Sequence, residues 1–271
     1  MTREVQVRQQ TILGSGGTPL VVRSYGMPGR NGRAVLLVHG WAESAAYWDE
    51  IAAMLGHQHV VIVPALRMHG ESLLQGEKPV EVSIPLLVQD MQAILTDLGM
   101  AHCVAVGHSM GGQVVTLLAE RHPFLVAGTI VLDPAYGALP DEIAAADTRR
   151  REHVNSAVAR FTEQHPQISP ETVRSYAGAL AALYDSEYLL DDSMGAVEKT
   201  GVVLRRRRRP ALAVYASDVG VQTEQRLTAD AAVPPEIVQW TLGGGHHFPA
   251  AHPQAVADLI EEWMARTPLR L

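Results

Sequence analysis

The chain has 271 residues, 47% of them hydrophobic, with a formal net charge of −7 and a mean hydropathy of +0.03. This is apolar material for one large domain or two small ones, and the negative charge argues against a general affinity for nucleic acid or anionic membrane. No apolar run approaches the length of a bilayer span, the N-terminus lacks an apolar signal core, and the single Cys103 has no internal disulfide partner. The expectation is a cytoplasmic protein.

Strand-like runs fall at about 4–11, 19–25, 34–38, 59–64, 102–106, 127–132, 211–216 and 236–242. The first two follow each other without a helix between them and are expected to form an antiparallel edge. Val, Ile and Leu dominate the central runs, as strands buried on both faces of a parallel sheet require. Helical patterns lie between them. Trp48, Ile51, Ala52 and Leu55 share one face, as do Leu87, Met91, Ile94, Leu95 and Leu98 on a helix opened by Ser83 and closed by Gly99. Val114, Leu117 and Leu118 mark a third helix, ended by Pro123, and Val256, Leu259, Ile260 and Trp263 mark the last. The alternation implies an α/β sheet with helices on both faces. From about 137 to 205 no convincing strand occurs, only helical patterns at Asp141–Glu163, Pro170–Tyr184 and Asp191–Val197. This stretch reads as an inserted helical cap (137–205), which divides the core domain into 1–136 and 206–271. The cap would lie over the carboxyl edge of the sheet, where open α/β sheets bind ligands.

The chemistry centres on Gly107-His108-Ser109-Met110-Gly111, directly after the apolar run Cys103–Val106 and before a helix. A strand, a G-x-S-x-G turn and a helix form a nucleophile elbow, which holds the serine hydroxyl clear of the backbone over a helix N-terminus. A serine nucleophile needs a base within hydrogen-bond reach and a third group to orient that base. Gly243-Gly244-Gly245-His246-His247-Phe248 follows the last strand-like run. His246 is the favoured base and His247 the alternative. Asp218, after the run Ala211–Ala216, is the favoured acid; Asp133, which closes the run Thr129–Leu132, competes, and Glu224 is more distant. Asp133-Pro134 also reads as an ordinary turn. The two backbone donors for an oxyanion would be the N–H of Met110, at the start of the elbow helix, and that of Trp41, in the loop Val38-His39-Gly40-Trp41. His39 reads as a structural histidine that ties this loop down.

Taken together, the His39-Gly40-Trp41 loop, the Gly107-His108-Ser109-Met110-Gly111-Gly112 elbow, the late Gly245-His246 and the Leu66-Arg67-Met68-His69-Gly70-Glu71-Ser72 segment resemble the α/β-hydrolase fold superfamily over almost the whole chain. The resemblance implies a mostly parallel eight-stranded sheet and a Ser-Asp-His triad that works without metal or organic cofactor. Two departures stand out. Ala65 and Met68 replace an acid and a glycine in the common Pro-Asp-Leu-Arg-Gly-His-Gly pattern, and Asp218 comes about one residue early after Ala216, which replaces the usual glycine.

The remaining clusters carry weaker signals. Twelve histidines, among them His246, His247 and His252, include no metal-ligand spacing, so no metal is expected. Arg205–Arg209 reads as a solvated linker, with an anion-binding role as the alternative. Tyr176, Leu180, Tyr184, Tyr188 and Leu189 either line a substrate pocket or form the cap's own core. The expected function is a serine hydrolase that cleaves carboxylic esters or lactones of small apolar molecules. The alternatives on the same site are carbon–carbon bond hydrolysis, a cofactor-free perhydrolase reaction and acyl transfer. A ligand-binding receptor with slow turnover is the rival from another class. Dehalogenases and epoxide hydrolases of this fold resemble the chain less, because they place an aspartate where Ser109 stands.

Overall fold

A computed structural model describes residues 4–26, 33–73, 81–134, 146–188, 200–216, 234–241 and 243–269. Eight strands form one sheet: β1 (Val7–Leu13), β2 (Pro19–Tyr25), β3 (Ala34–Val38), β4 (Val60–Pro64), β5 (Cys103–His108), β6 (Val126–Leu132), β7 (Ala211–Ala216) and β8 (Val238–Thr241). Their order across the sheet is β1-β2-β4-β3-β5-β6-β7-β8. β1 pairs antiparallel with β2 and β2 antiparallel with β4, whereas all other neighbours are parallel. The first two strands are therefore the antiparallel edge that their direct succession implies. β1 begins later than its sequence pattern, because the full register from Val7↔Tyr25 to Leu13↔Pro19 sets its limits on a largely exposed edge. β8 is likewise shorter, since Pro235–Ile237 form a 3-10 turn ahead of it.

The central strands β5 and β6 are buried along their whole length, and successive residues divide between the two faces of the sheet. Leu36 and Val38 pack with α3 (Ile84–Asp97) and α4 (Met110–Arg121), while Val35 and Leu37 pack with α1 (Asp49–Leu55) and α9 (Pro253–Arg266). Burial of each such Leu or Val side chain contributes about 1.5–3 kcal/mol. One polar residue interrupts the buried face of α3. Asp90 meets Arg67 in a two-pronged ion pair, Nε to Oδ2 and Nη2 to Oδ1 at 2.6 Å each, and also accepts the Ser15 N–H at 2.8 Å.

Strands β3 and β5 are neighbours, but the chain leaves β3 for β4 on one side and resumes on the other with β5. This reversal opens a crevice at the carboxyl ends of β3 and β5, the position at which α/β sheets bind ligands. A short helix α2 (Gly70–Leu73) follows β4. Between β6 and β7 the described residues contain only helices: α5 (Ala146–Gln164), α6 (Pro170–Tyr188) and α7 (Thr200–Arg205). α5 packs on α6, and α7 packs on α4. The helical pattern at 191–197 lies outside the described residues. The arginine run after α7 is engaged with the core: Arg206 pairs with Glu120, Arg207 with Glu236 at 3.1 Å, and Arg209 donates twice to the Pro123 carbonyl. No helix among the described residues is long and apolar enough to cross a membrane.

Candidate active site

Ser109 follows β5 immediately and takes φ 51°, ψ −123°, a backbone conformation that an L-residue adopts only under constraint. The constraint is close packing of backbone on both sides. A Cβ on Gly107 would stand 2.2 Å from the Gly111 carbonyl oxygen, and one on Gly111 would stand 2.3 Å from that of Val38. Only glycine fits either position. The turn is held by the Ser109 N–H, which donates to the Leu132 carbonyl, and by the Gly112 N–H, which donates to Ser109. The serine thus sits at the carboxyl edge of the sheet and at the N-terminus of α4.

The loop after β3 crosses in front of it. A Cβ on Gly40 would stand 3.1 Å from Ser109 Cβ, so this backbone passes against the serine. Buried His39 fixes the loop: its Nδ1 faces the Gly40 carbonyl at 2.9 Å and its Nε2 accepts the Leu66 N–H at 3.1 Å. Buried His69 repeats the device, with Nδ1 against the Arg67 carbonyl and Nε2 accepting the Ala42 N–H. Burial drives both imidazoles toward the neutral form, and His69 is pushed down to about 3. His39 is therefore the structural tie expected of it. The amides of Trp41 and Met110 take no acceptor among the described residues. The Trp41 side chain reaches α6: its Nε1 donates to the Leu180 carbonyl at 3.0 Å, and its ring meets Tyr184 edge-on at 6.1 Å.

His246 lies in the loop before α8 (Phe248–Ala251), beyond Gly243–Gly245, all three with positive φ. Its Nδ1 lies 2.5 Å from Oδ2 of Asp133, the residue that follows β6. Among the described residues Asp133 is the acid that meets this histidine. Asp218 and Glu224 lie outside the described residues. His247 faces elsewhere, with Nδ1 3.4 Å from Glu43 and a largely exposed ring.

Two residues here escaped the sequence reading. His108, fully buried at the end of an otherwise apolar strand, places Nε2 2.7 Å from the His246 carbonyl and Nδ1 3.1 Å from Glu43. Tyr47 stacks on its ring at 4.8 Å. A polar residue in a fully buried strand demands a partner; that was the available signal, but nothing local pointed to Glu43. Ligand atoms of Glu43, His108 and His247 lie within 4.8 Å of one another. Glu43 is nevertheless committed to the Gly40 N–H at 2.5 Å and to His108, and His108 to the His246 carbonyl, so the donors form a closed hydrogen-bond cluster rather than a cage for a metal.

A cavity of about 430 Å³ lies between the β3 loop and α5 and α6, with Glu43, Tyr47, Glu71, Arg160, Phe161 and Tyr176 in its mixed polar and apolar wall; Ser109, His246 and Asp133 do not line it. Tyr176 packs on Phe161 at 4.3 Å, so it belongs both to the packing between α5 and α6 and to this wall. Tyr188 and Leu189 lie beyond the side chains described.

The sequence profile of the alpha/beta hydrolase family matches residues 35–259. A serine hydrolase-like protein of Danio rerio is 28% identical over 130 residues, which is 47% of this chain and 39% of that protein. The lipase LipV of Mycobacterium tuberculosis is 27% identical over 264 residues, covering 89% of this chain and 96% of the lipase. The Danio rerio protein and further mycobacterial relatives are longer, and this chain matches about a third of their length. Among solved structures, a thermophilic esterase from Thermogutta terrifontis superposes with a TM-score of 0.69 at 21% identity, covering 96% of this chain and 98% of the esterase, a likeness of fold.

Proposed function

The chain belongs to the alpha/beta hydrolase family, and from that premise we propose that it is a serine hydrolase acting on carboxylic esters or lactones of small apolar molecules. The observation that carries this reading is the 2.5 Å hydrogen bond between His246 and Asp133 at the same sheet edge as the constrained Ser109. Family membership supports hydrolysis. The serine at the elbow, in place of an aspartate, supports an acyl-enzyme.

In the proposed reaction Ser109 Oγ attacks the substrate carbonyl carbon while His246 Nε2 takes the hydroxyl proton. Asp133 holds the imidazole by Nδ1 and stabilises the imidazolium that forms. The N–H groups of Trp41 and Met110 receive the charge that develops on the carbonyl oxygen. Collapse of the tetrahedral species breaks the bond to the alcohol, which leaves with the proton from His246. A water then gives its proton to His246, attacks the acyl carbon and releases the acid, and the proton returns to Ser109. The inserted helices serve as the cap over the carboxyl edge of the sheet.

The test is labelling by a fluorophosphonate probe together with turnover of p-nitrophenyl esters, on the wild type and Ser109→Ala. Labelling and turnover that both vanish in the variant support the proposal. A folded, unlabelled wild type overturns it in favour of a binding protein.

A further inference from the structure

Three buried histidines, His39, His69 and His108, lie in and around the loop after β3 and the elbow, and the partner of each ring nitrogen assigns its protons. His39 and His69 each face one carbonyl and one N–H, so each carries a single proton. His108 differs, because both of its nitrogens face acceptors: the His246 carbonyl at Nε2 and the Glu43 carboxylate at Nδ1. A neutral ring would set a lone pair against one of them. The arrangement is satisfied by an imidazolium with Glu43 as its buried counter-ion. The other groups around the ring are the Tyr47 phenol ring, the imidazoles of His39, His246 and His247, and, at longer range, Asp133. Burial alone would disfavour the cation, but the facing Glu43 carboxylate overrides it and raises the His108 pKa; burial would likewise raise that of Glu43, which the His108 charge holds well below the usual carboxylate range.

The same carboxylate consumes the Gly40 N–H, while the neighbouring Trp41 amide is turned to no described acceptor. One ion pair therefore joins three segments: the loop after β3, the elbow, and the backbone of the residue whose ring is the proposed base. His246 is held twice, by its ring through Asp133 and by its carbonyl through His108.

We propose that His108 is a positioning residue, a buried cation clamped between Glu43 and the His246 carbonyl, that fixes the reach of His246 and of the Trp41 amide on Ser109. The proposal rests on the serine-hydrolase reading above. Neither His108 nor Glu43 needs to touch the substrate.

The first test is the ring ¹⁵N spectrum of the wild-type protein at pH 8, where an ordinary histidine is neutral. Both His108 nitrogens should resonate as protonated. The signal should be absent in His108→Gln and should move to the neutral pattern in Glu43→Gln. The second test is kinetic. Each variant should lose about 10- to 100-fold in kcat for a p-nitrophenyl ester and in the rate of fluorophosphonate labelling, as loss of alignment does. KM should stay within about threefold, and the double variant should be no slower than either single one. A neutral His108 at pH 8, unimpaired single variants or additive losses overturn the proposal. If His108→Gln does not fold, the wild-type spectrum and Glu43→Gln still decide it. A labelled wild type with unaffected variants overturns the positioning role alone; an unlabelled wild type overturns the hydrolase reading and this role with it.

Discussion

His246 Nδ1 and Asp133 Oδ2 stand 2.5 Å apart, so the histidine after the last strand is oriented by the acid that follows β6. Asp133 occupies φ 41°, and its N–H is held by the Val214 carbonyl at 2.8 Å, so the backbone aims the carboxylate. Asp133→Asn should preserve the fold and lower kcat about 10³- to 10⁴-fold, because the amide stabilises the wrong tautomer and no imidazolium. Asp218→Asn should stay within about twofold of wild type. Steady-state ester turnover of both variants decides between the two acids, and the opposite pattern would assign the role to Asp218.

His69, His39 and Glu43 all shape the acid limb of the stability profile. Burial, reinforced by His39, pushes the His69 pKa down to about 3, against about 6.5 in an unfolded chain. Burial lowers His39 in the same direction. A folded value below the unfolded one means that the contribution is complete above pH 6.5 and is lost as pH falls from 6.5 toward 3. His108 runs the other way. Its raised value makes its contribution complete below pH 6.5 and lost as pH climbs through the folded value. Melting temperature against pH should therefore be a dome, and His69→Gln should flatten its acid side. An acid side with unchanged slope in that variant would contradict the assignment.

Arg67 and Asp90 are a buried pair, and neither has another charge to turn to among the described residues. Arg67→Ala should cost about 3–5 kcal/mol, because it leaves the Asp90 carboxylate buried and unpaired. Replacing both, as Arg67→Met with Asp90→Leu, should recover most of the loss. Urea unfolding of the three proteins measures both effects.

The Trp41 indole ties the loop after β3 to α6 through the Leu180 carbonyl. Trp41→Phe removes that hydrogen bond, worth about 1 kcal/mol, and keeps the backbone N–H. KM for an apolar ester should rise about fivefold with kcat within about twofold. A kcat loss with unchanged KM would mean that the tie sets the oxyanion donor rather than the substrate wall.

The elbow and the alternation of strands and helices were legible because both are local: a turn type and two periodicities. The loop of Gly40 and the position of His246 after the last strand followed from the same local patterns. The acid was harder. Asp133 and Asp218 both follow apolar runs, and a strand pattern does not say which carboxylate a distant histidine meets; among the described residues His246 meets Asp133. The bond joins residues 113 positions apart. The His108–Glu43 pair was not legible at all. His108 was hidden as the variable position of a glycine motif, and its partner stands 65 residues upstream in a loop without periodicity. Both pairings arise where the sheet brings separate loops to one edge.

Ser109 and Asp133 both hold positive φ at neighbouring strand ends. Serine does not favour that conformation, so the proposed nucleophile is kept at a cost of about 1–3 kcal/mol that the surrounding sheet offsets, whereas aspartate tolerates positive φ more readily. Selection for a more robust fold would push position 109 toward glycine, and Ser109→Gly should melt several degrees higher than wild type while losing its nucleophile. In this protein the most stabilising change at the elbow and the most damaging one to chemistry are the same substitution, so a thermostability screen without an activity readout would discard the site first.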